Sequence, residues 1–455
     1  MRTAISTALA VILLLTACSD GADTPVIPGS MTVAPNAAPE GDPGEMRILA
    51  LRASLTEPRS DTVRVRYSTS AGTATAGVDY LDTAGELEIP PGDLHTFIAI
   101  EMIGDAEEEP AETINVRLET DGNASLTASE VIATIANDDS TCDEAFDNVP
   151  NPWLVNGADP LNFAHRGGVR DFPENTLYAY AEAALAGADV LEMDVYQSKD
   201  GELVILHDLT VDRTTDGSGA VADLTLAELR ALDAAYWFVQ GEGTPRGRPE
   251  EDYLFRGIAT GDKPPPPGYS AEDFRIPTLE EALARFPREL INLELKPDDG
   301  EGNYEAQMAE LLQRYGRSTD VIAGSFQGPV TRLFKEFAPC VYSYIPLDQG
   351  LEIGLDFLFG SGVMPPVPEH ISWQVPPNTE QIGDELDLDI PVVTEEFVEA
   401  AHSVDLAVQV WTINTCEEML QMIDLEVDAI MTDEPLLLER LLSMPPDQRS
   451  CEGEE

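Results

Sequence analysis

The stretch LNFAHRGGVRDFPENTLYAYAEAALAGADVLEMDV, residues 161–195, decides the fold because it runs from a strand through a helix into a second strand. Its ends, LNFAHRG and DVLEMDV, are short apolar runs, and the segment between them has the pattern of a helix packed on a sheet. Such alternation predicts a parallel sheet. It continues through six more strands: LINLELK, VIAGSF, CVYSYI, ISWQV, AVQVWTIN and DAIMTD. Eight strands predict an α/β TIM (β/α)8 barrel over 161–445, with its active site at the carboxyl ends of the strands.

One apolar run, ELVILHD at 202–208, does not fit a parallel strand. Only SKDG separates it from the strand before, and a parallel crossover needs a dozen or more residues. We therefore predict a hairpin that leaves the barrel mouth after Asp194 and brings His207 back to it. We also predict that the following segment, 209–275, is an insertion over the mouth that shapes the substrate pocket.

The N-terminal part of the chain has a different pattern. MRILALRASL, DTVRVRYSTS, HTFIAIEMI and ETINVRLET are short β-rich runs between Gly, Pro and Asp clusters, which predicts an all-β sandwich. The predicted organisation is a signal peptide (1–17), a flexible tether (18–30), the sandwich (31–139), a linker (140–160), the barrel (161–445) and a C-terminal tail (446–455).

Charge and the N-terminus limit the partners and the location. The chain of 455 residues has 26 Lys and Arg against 84 Asp and Glu, a net charge of -58 that argues against a nucleic-acid partner. The start MRTAISTALAVILLLTACSD has the pattern of a signal peptide, and LTAC resembles the bacterial lipoprotein box. That resemblance implies cleavage before Cys18 and an exported protein held to a membrane by a lipid on Cys18, and Ser19 after the cysteine favours the outer membrane. Ordinary secretion with Cys18 incidental is the alternative.

Four cysteines remain after export: Cys142, Cys340, Cys416 and Cys451. An even number in an oxidising compartment favours disulfides. Cys142 and Cys451 flank the second half of the chain, and because the ends of a domain often lie close together we predict a bridge between them. Four unpaired buried thiols are the alternative.

Charged residues gather at the predicted barrel mouth. Side chains two apart on a strand share a face, so Glu192 lies beside Asp194, and Glu294 lies beside Lys296. Because three carboxylates in one place repel one another, they predict a cation. Oxygen ligands favour Mg²⁺ or Ca²⁺. The alternative is a zinc site in which His165 or His207 completes the ligand set.

Two histidines, His165 and His207, share this mouth with the predicted metal. The combination predicts cleavage of a phosphate ester, in which one imidazole accepts a proton and the other donates one. Arg166 and Lys296 are expected to stabilise the developing oxyanion.

The loop after the first strand combines catalysis with scaffolding. Gly167 and Gly168 are expected to let the backbone approach phosphate and metal. Glu174 is expected to hydrogen-bond back onto the functional side chains, and Asn175 or Thr176 to cap the next helix.

The barrel segment resembles the glycerophosphodiester phosphodiesterase family, over about 161–445. The resemblance rests on an ordered set of motifs: AHRGG, PENT, GADVLEMDV, SKDGELVILHD, DRTTDGSGAVADLTLAELRALDA, IPTLEEAL, LELK, VWTIN and DAIMTDEP. It implies release of glycerol 3-phosphate and an alcohol from glycerophosphodiesters. It also implies a set of roles: His165 and His207 as the acid and base pair, Glu192, Asp194 and Glu294 as metal ligands, Arg166 and Lys296 as phosphate ligands, and Trp411 as the aromatic on the glycerol.

The N-terminal segment, about 31–139, resembles the Calx-beta family through PEGDPGE, VRYSTSAGTATAGVDY, IPPGD, GDAEEEPAETINVRL and IANDD. Members of that family bind calcium between acidic loops, and the positions that match are Glu40, Asp79, Asp105, Glu109, Asp138 and Asp139. In a chain this acidic, loop carboxylates are expected without a metal, so we favour a spacer or adhesion module, with a protein partner that the sequence does not identify, over a calcium site.

Two further functions stay open for the whole chain. A related barrel would be a phospholipase directed at phosphatidylinositol or sphingomyelin. A calcium-dependent surface adhesion lipoprotein would carry an inert barrel.

Overall fold

The computed structural model describes residues 30–33, 36–40, 46–55, 59–92, 94–105, 112–120, 124–136, 153–155, 157–296, 304–360, 362–367, 369–379 and 390–451. The predicted signal peptide, the lipidation site Cys18 and most of the tether and linker lie outside these residues. No helix in the described part of the chain is long and apolar enough to span a membrane.

The N-terminal part is a sandwich of two β-sheets. Its strands are β1 (Ser30–Val33), β2 (Asn36–Pro39), β3 (Met46–Leu55), β4 (Val63–Ala71), β5 (Ala84–Ile89), β6 (His95–Ile103), β7 (Glu112–Thr120), β8 (Ser125–Leu126) and β9 (Glu130–Ala136). One sheet has the order β6-β3-β1-β8 and the other β2-β9-β7-β4-β5. Alternate side chains of β6 are buried, among them Ile98, Ile100 and Met102, which is the pattern of a strand with one face on the core. The predicted sandwich is confirmed.

The second part is a parallel barrel. Its strands are β10 (Leu161–Ala164), β11 (Val190–Gln197), β12 (Leu203–Ile205), β13 (Leu290–Leu295), β14 (Val321–Gly324), β15 (Ser372–Val375), β16 (Ala407–Val410) and β17 (Ala429–Thr432). The order β14-β13-β11-β10-β17-β16-β15 is parallel throughout. Between β14 and β15, Tyr342 forms a parallel bridge to Ile322 and Tyr344 forms one to Ser372, so the predicted fifth strand closes the ring through single bridges. The predicted TIM barrel is confirmed.

The helices follow the strands around the barrel. They are α1 (Leu177–Ala186), α2 (Leu226–Leu229), α3 (Leu279–Arg285), α4 (Tyr304–Arg314), α5 (Gly328–Phe337), α6 (Leu347–Phe359), α7 (Glu395–His402), α8 (Cys416–Asp424) and α9 (Pro435–Leu442). Thr176 caps α1, because its side chain accepts a hydrogen bond from the backbone N–H of Ala179 at 3.1 Å. Of the two predicted caps, Thr176 is therefore the one used.

The hairpin is present as predicted. Strand β12 pairs antiparallel with β11, with Val195 opposite Ile205, and the backbone N–H of Leu206 donates to the carbonyl of Asp194 at 3.0 Å. The chain therefore returns to the mouth immediately before His207.

The inserted segment 209–275 packs beside α1. The ring of Tyr178 on α1 lies 5.1 Å from that of Phe255, 4.8 Å from that of Tyr269 and 4.6 Å from that of Phe274. Aromatic contacts of this kind anchor the segment to the flank of the barrel. The expectation that it forms the pocket wall is corrected below.

The predicted disulfide between Cys142 and Cys451 is wrong, because Cys451 is bonded to Cys416. The C-terminal tail folds back over the last helices, where the guanidinium of Arg449 donates to the carbonyl of Leu441 and pairs with Asp159. This return places Cys451 at the start of α8. The barrel ends do meet as expected, but the bridge joins the tail to a helix. Cys340 is also disulfide-bonded, so the alternative of four free thiols is wrong, and Cys142 lies outside the described residues.

Candidate active site

A cavity of about 370 Å³ opens at the carboxyl ends of the barrel strands. Its lining includes all the sequence-predicted barrel site residues except Asp194: His165, Arg166, Glu192, His207, Glu294, Lys296 and Trp411. The other lining residues are Asn292, Phe326, Leu347, Gln374, Thr412 and Met431. None of the lining residues comes from 209–275, so the insertion does not form the pocket wall.

Three carboxylates meet on one side of this cavity. Asp194 on β11 lies directly opposite Glu294 on β13 in the parallel register, and Glu192 is one layer deeper. One oxygen from each lies within 4.8 Å of the others, and this is the one such cluster found among the described residues. The pKa of Glu192 is raised well above its usual value by burial and by the charge of Asp194. The donor set therefore fits a hard divalent cation, which prefers carboxylate oxygens and would offset this repulsion.

Lys296 already neutralises part of the cluster. Its Nζ lies 3.0 Å from Oδ1 of Asp194 and 2.8 Å from Oε1 of Glu294. Burial alone would lower the pKa of Lys296, but the two carboxylates outweigh it and raise the pKa. Lys296 is therefore held as a cation beside the predicted metal ligands.

His165 is held by a carboxylate that immediately follows the last strand, β17. Its Nδ1 lies 2.6 Å from Oδ1 of Asp433, and the amide of Asn414 donates to the other oxygen of Asp433 at 2.7 Å. Burial and then the charge of Arg166 lower the pKa of His165, although Asp433 opposes them. Because Nδ1 donates to Asp433, Nε2 is the nitrogen left for the cavity. The ring is thus oriented and kept neutral, as a proton acceptor requires.

His207, which follows the hairpin strand β12, has a similar arrangement. Its Nδ1 lies 2.7 Å from Oδ1 of Asp208, the next residue in the chain. The Nε of Arg213 donates to Oδ2 of Asp208 at 2.6 Å. His207 therefore also presents Nε2 to the cavity, but its support comes from the hairpin and the inserted segment.

Arg166, the residue after His165, contacts three carboxylates of the site. Its backbone is left-handed, with φ of 53°, and its N–H donates to Oε2 of Glu192 at 2.8 Å. The guanidinium Nη1 lies 3.3 Å from Oε1 of Glu174, and Nε lies 3.4 Å from Oδ2 of Asp194. A non-glycine residue in this conformation is strained, and such strain is typical of functional sites.

Glu174 connects Arg166 with Arg213. This agrees with the expectation that it hydrogen-bonds back onto the functional side chains. It accepts hydrogen bonds from Arg166 and, at 2.5 and 2.8 Å, from the guanidinium of Arg213. Burial would raise the pKa of Glu174, but the hydrogen bonds from Arg213 and the charge of Arg166 outweigh it and lower the pKa. The inserted segment thus contributes Arg213 to the support of both Arg166 and His207.

The two glycines of the loop have a packing role. Both have positive φ, 83° at Gly167 and 95° at Gly168. A Cβ on Gly167 would lie 2.8 Å from that of Ala179, and one on Gly168 would lie 2.8 Å from Cγ of Pro435. Their requirement in this structure is therefore backbone conformation and close contact with α1 and α9.

Four residues that support the two histidines were not predicted from the sequence: Asp208, Arg213, Asn414 and Asp433. Asp208 follows His207 directly, and Asp433 belongs to the DAIMTDEP motif, so each had a local signal. Their partnerships depend on the closed barrel, because 268 positions separate His165 from Asp433.

Four apolar side chains, the apolar wall, also line the cavity. They are Phe326, Leu347, Trp411 and Met431, with the rings of Phe326 and Trp411 edge to face at 5.4 Å. The Nε1 of Trp411 is buried and has no hydrogen-bond partner among the described residues. Contact of Trp411 with glycerol stays a prediction.

Calcium binding by the sandwich, the alternative to a spacer module, stays a hypothesis. Among its candidates, Glu40 and Asp79 are buried, and Asp79 accepts a hydrogen bond from the backbone N–H of Thr75 at 2.5 Å. Glu40, Asp79 and Asp105 do not form a metal-ligand cluster within the described part of the chain. The other three candidates, Glu109, Asp138 and Asp139, lie outside it.

Comparisons with known proteins agree with this geometry. The model of the glycerophosphoryl diester phosphodiesterase family matches residues 165–437, and that of the Calx-beta domain matches 41–140. A glycerophosphodiester phosphodiesterase of Caldanaerobacter subterraneus subsp. tengcongensis is 33% identical over 287 residues, which cover 62% of this chain and 97% of that protein. One of Bacillus altitudinis is 27% identical over 282 residues, which cover 60% and 94% of the two chains.

A solved structure supports the fold independently. The glycerophosphoryl diester phosphodiesterase domain of a Mycobacterium tuberculosis protein superposes with a TM-score of 0.51 and 22% identity, covering 62% of this chain and 98% of that one. The family model spans more than half of the 455 residues, and the barrel site residues lie within it. The chain therefore belongs to the glycerophosphoryl diester phosphodiesterase family, with a Calx-beta domain before the barrel.

Proposed function

We propose that the chain hydrolyses glycerophosphodiesters to glycerol 3-phosphate and an alcohol, in a reaction that depends on one divalent cation, Ca²⁺ or Mg²⁺. The observation that carries the proposal is the convergence of two carboxylate-supported histidines and three clustered carboxylates at one barrel mouth. This set supplies proton transfer and a cation site together. The activity named for the relatives supports the same substrate class.

The cation is held by Glu192, Asp194 and Glu294 in this proposal. When bound, it supplies positive charge that offsets the charge of the phosphoryl oxygens. Arg166 and Lys296 add fixed charges next to the same cavity, where they stabilise the oxygens as negative charge develops. Trp411 packs on the glycerol.

The two histidines move the protons. His165, whose pKa is lowered, accepts the proton of the glycerol hydroxyl beside the phosphate. That oxygen bonds to phosphorus while the bond from phosphorus to the leaving alcohol breaks, and His207 donates its proton to the leaving oxygen. Water then opens the resulting cyclic phosphate with the two roles reversed, which restores both imidazoles.

The test is choline release from glycerophosphocholine in calcium, in magnesium and in chelator. We expect metal-dependent release that Glu192→Gln lowers by about 10²-fold or more, while Glu417→Gln, an exposed glutamate on α8, does not. Calorimetry should show weaker metal binding in Glu192→Gln only.

Other results would favour the alternatives. Hydrolysis of micellar phospholipid without hydrolysis of glycerophosphocholine would favour a phospholipase. A folded barrel without activity on either substrate would favour an adhesion protein.

We also propose that the protein is exported and anchored to the outer membrane by a lipid on Cys18, a proposal supported by the LTAC motif, the apolar run before it and Ser19 after it. Labelling with an alkyne fatty acid should mark the wild type and not Cys18→Ser. Equal labelling of both would contradict the anchor.

A further inference from the structure

Apart from Trp411, which packs on the glycerol, the apolar wall of the cavity has no task in the chemistry proposed above. Helix α6 begins there, because Leu347 lines the cavity and its backbone N–H donates to the carbonyl of Phe326 at 3.2 Å. Phe326 packs against Trp411 on the same wall. The apolar wall therefore continues directly onto the first turn of α6.

Leucines continue along this helix at spacings of four residues. Leu347, Leu351 and Leu355 lie on one face, and their exposed fractions are 37%, 39% and 56%. At 1.5 Å per residue the row is roughly 12 Å long. An exposed apolar row that starts inside a cavity is a place where a ligand can bury surface.

The packing of α6 does not need this row. The helix contacts the barrel through other positions: a Cβ on Gly350 would lie 2.8 Å from Nε1 of Trp373, and Ile353 is buried. Phe357 packs against Phe397 at 6.1 Å. The leucine row is thus an additional apolar surface and not the buried face of the helix.

Charge decides which occupant fits. An exposed acidic residue follows each leucine: Asp348, Glu352 and Asp356. Together with the net charge of -58, these residues disfavour docking on an anionic lipid surface. A single hydrocarbon chain attached to a neutral or zwitterionic head group has no such penalty.

The proposed chemistry limits the number of acyl chains that a substrate can carry. The attacking group is the glycerol hydroxyl beside the phosphate, so it must be unesterified. A substrate with one acyl chain at the far glycerol carbon keeps that hydroxyl, and a diacyl lipid does not.

We infer that Leu347, Leu351 and Leu355 form an acyl-chain track, and that the enzyme prefers monoacyl phosphodiesters such as lysophospholipids to fully deacylated ones. This inference rests on the proposed function. Since two buried methylenes correspond to about tenfold in affinity, even partial burial of a chain on the track produces a measurable preference.

The experiment compares lauroyl lysophosphatidylcholine with glycerophosphocholine, both as monomers and both assayed by choline release. We expect kcat/KM to be about tenfold or more higher for the lysophospholipid. In the double variant Leu351→Gln/Leu355→Gln the ratio of the two kcat/KM values should fall about tenfold. In Leu185→Gln, a control on α1 whose leucine is 79% exposed, the ratio should not change.

Three results would overturn the acyl-chain track. They are a wild-type ratio of one or less, a ratio equal in wild type and double variant, and loss of binding to phosphatidylcholine vesicles in the double variant with the ratio intact. The last result would assign the row to a membrane surface. Absence of activity on both substrates would overturn the proposed function itself, so the two failures are distinguishable.

Discussion

The two histidines of the cavity have the same immediate partner and different surroundings. Each has Nδ1 on an aspartate, His165 on Asp433 at 2.6 Å and His207 on Asp208 at 2.7 Å. The side chain of His165 is 15% exposed and that of His207 is 32% exposed. His165 belongs to the barrel rim, whereas His207 follows the added hairpin.

The difference indicates how one residue type serves two roles. On the rim, burial and Arg166 keep His165 neutral, which suits a base. His207 is closer to solvent and is supported by Asp208 and Arg213 from outside the barrel, which suits a group that exchanges protons with water and then donates them.

The largest effect is expected from Asp433→Asn. The amide can still hydrogen-bond to His165 but no longer stabilises the correct tautomer or the imidazolium, so kcat/KM should fall about 10³-fold. Steady-state kinetics on glycerophosphocholine checks this. Asp405→Asn, an exposed change that keeps a left-handed residue, is the control. A loss below about tenfold would show that Asp433 is not needed to orient His165.

Asp208→Asn should cost less, about 10- to 10²-fold in kcat/KM, because water reaches His207 more easily and replaces part of the lost support. The same assay measures it. If Asp208→Asn proves more damaging than Asp433→Asn, the comparison between the less exposed His165 and the more exposed His207 is wrong.

Arg213→Gln tests the connection that Glu174 makes between Arg166 and Arg213. The change leaves Glu174 buried with Arg166 as its remaining charged partner, so we expect a loss of about 2 kcal/mol in the free energy of unfolding at pH 7. Glu174 has a lowered pKa in the folded state, so its contribution is present above its unfolded pKa and is lost as the pH falls through its folded pKa. Denaturant unfolding should therefore show the two proteins converging in acid. A difference that grows in acid would contradict the role of Glu174.

Asp171 lies in the loop between β10 and α1 and has no role in the proposed chemistry. Its substitution therefore gives the smallest expected effect on activity. Burial, with Glu434 and Asp433 nearby, raises its pKa to about 6. A raised acid pKa means that the folded state loses stability as the pH rises from the unfolded pKa to about 6. Asp171→Asn should remove that penalty, gaining about 2 kcal/mol more at pH 7.5 than at pH 4.5. Activity should be nearly unchanged. An equal effect on stability at both pH values would show that Asp171 titrates normally.

Most of the fold could be predicted from the sequence because the periodicity of strands and helices is a local property. The hairpin followed from the four-residue SKDG turn alone, and the face shared by Glu192 and Asp194 followed from the strand period. The fifth strand, CVYSYI, was also placed correctly, although only Tyr342 and Tyr344 bridge to their neighbours.

What the sequence did not reveal depends on tertiary contacts. The bond of Cys451 to Cys416 requires the tail to turn back at Arg449, and no local pattern encodes that return. The supporting role of Arg213 requires the start of the inserted segment to lie against Asp208 and Glu174, although the length of the segment suggested a cover over the mouth.

The most direct test of the two-histidine account varies the leaving group. Wild type, His165→Ala and His207→Ala would be assayed on glycerophosphocholine and on 4-nitrophenyl glycerol phosphate, whose phenolate leaves without a proton. The account predicts that both variants lose about 10²-fold or more on choline release, and that only His207→Ala recovers to within about tenfold of wild type on the nitrophenyl ester. Recovery of His165→Ala instead, or equal recovery of both, would contradict the assignment of His165 as base and His207 as acid.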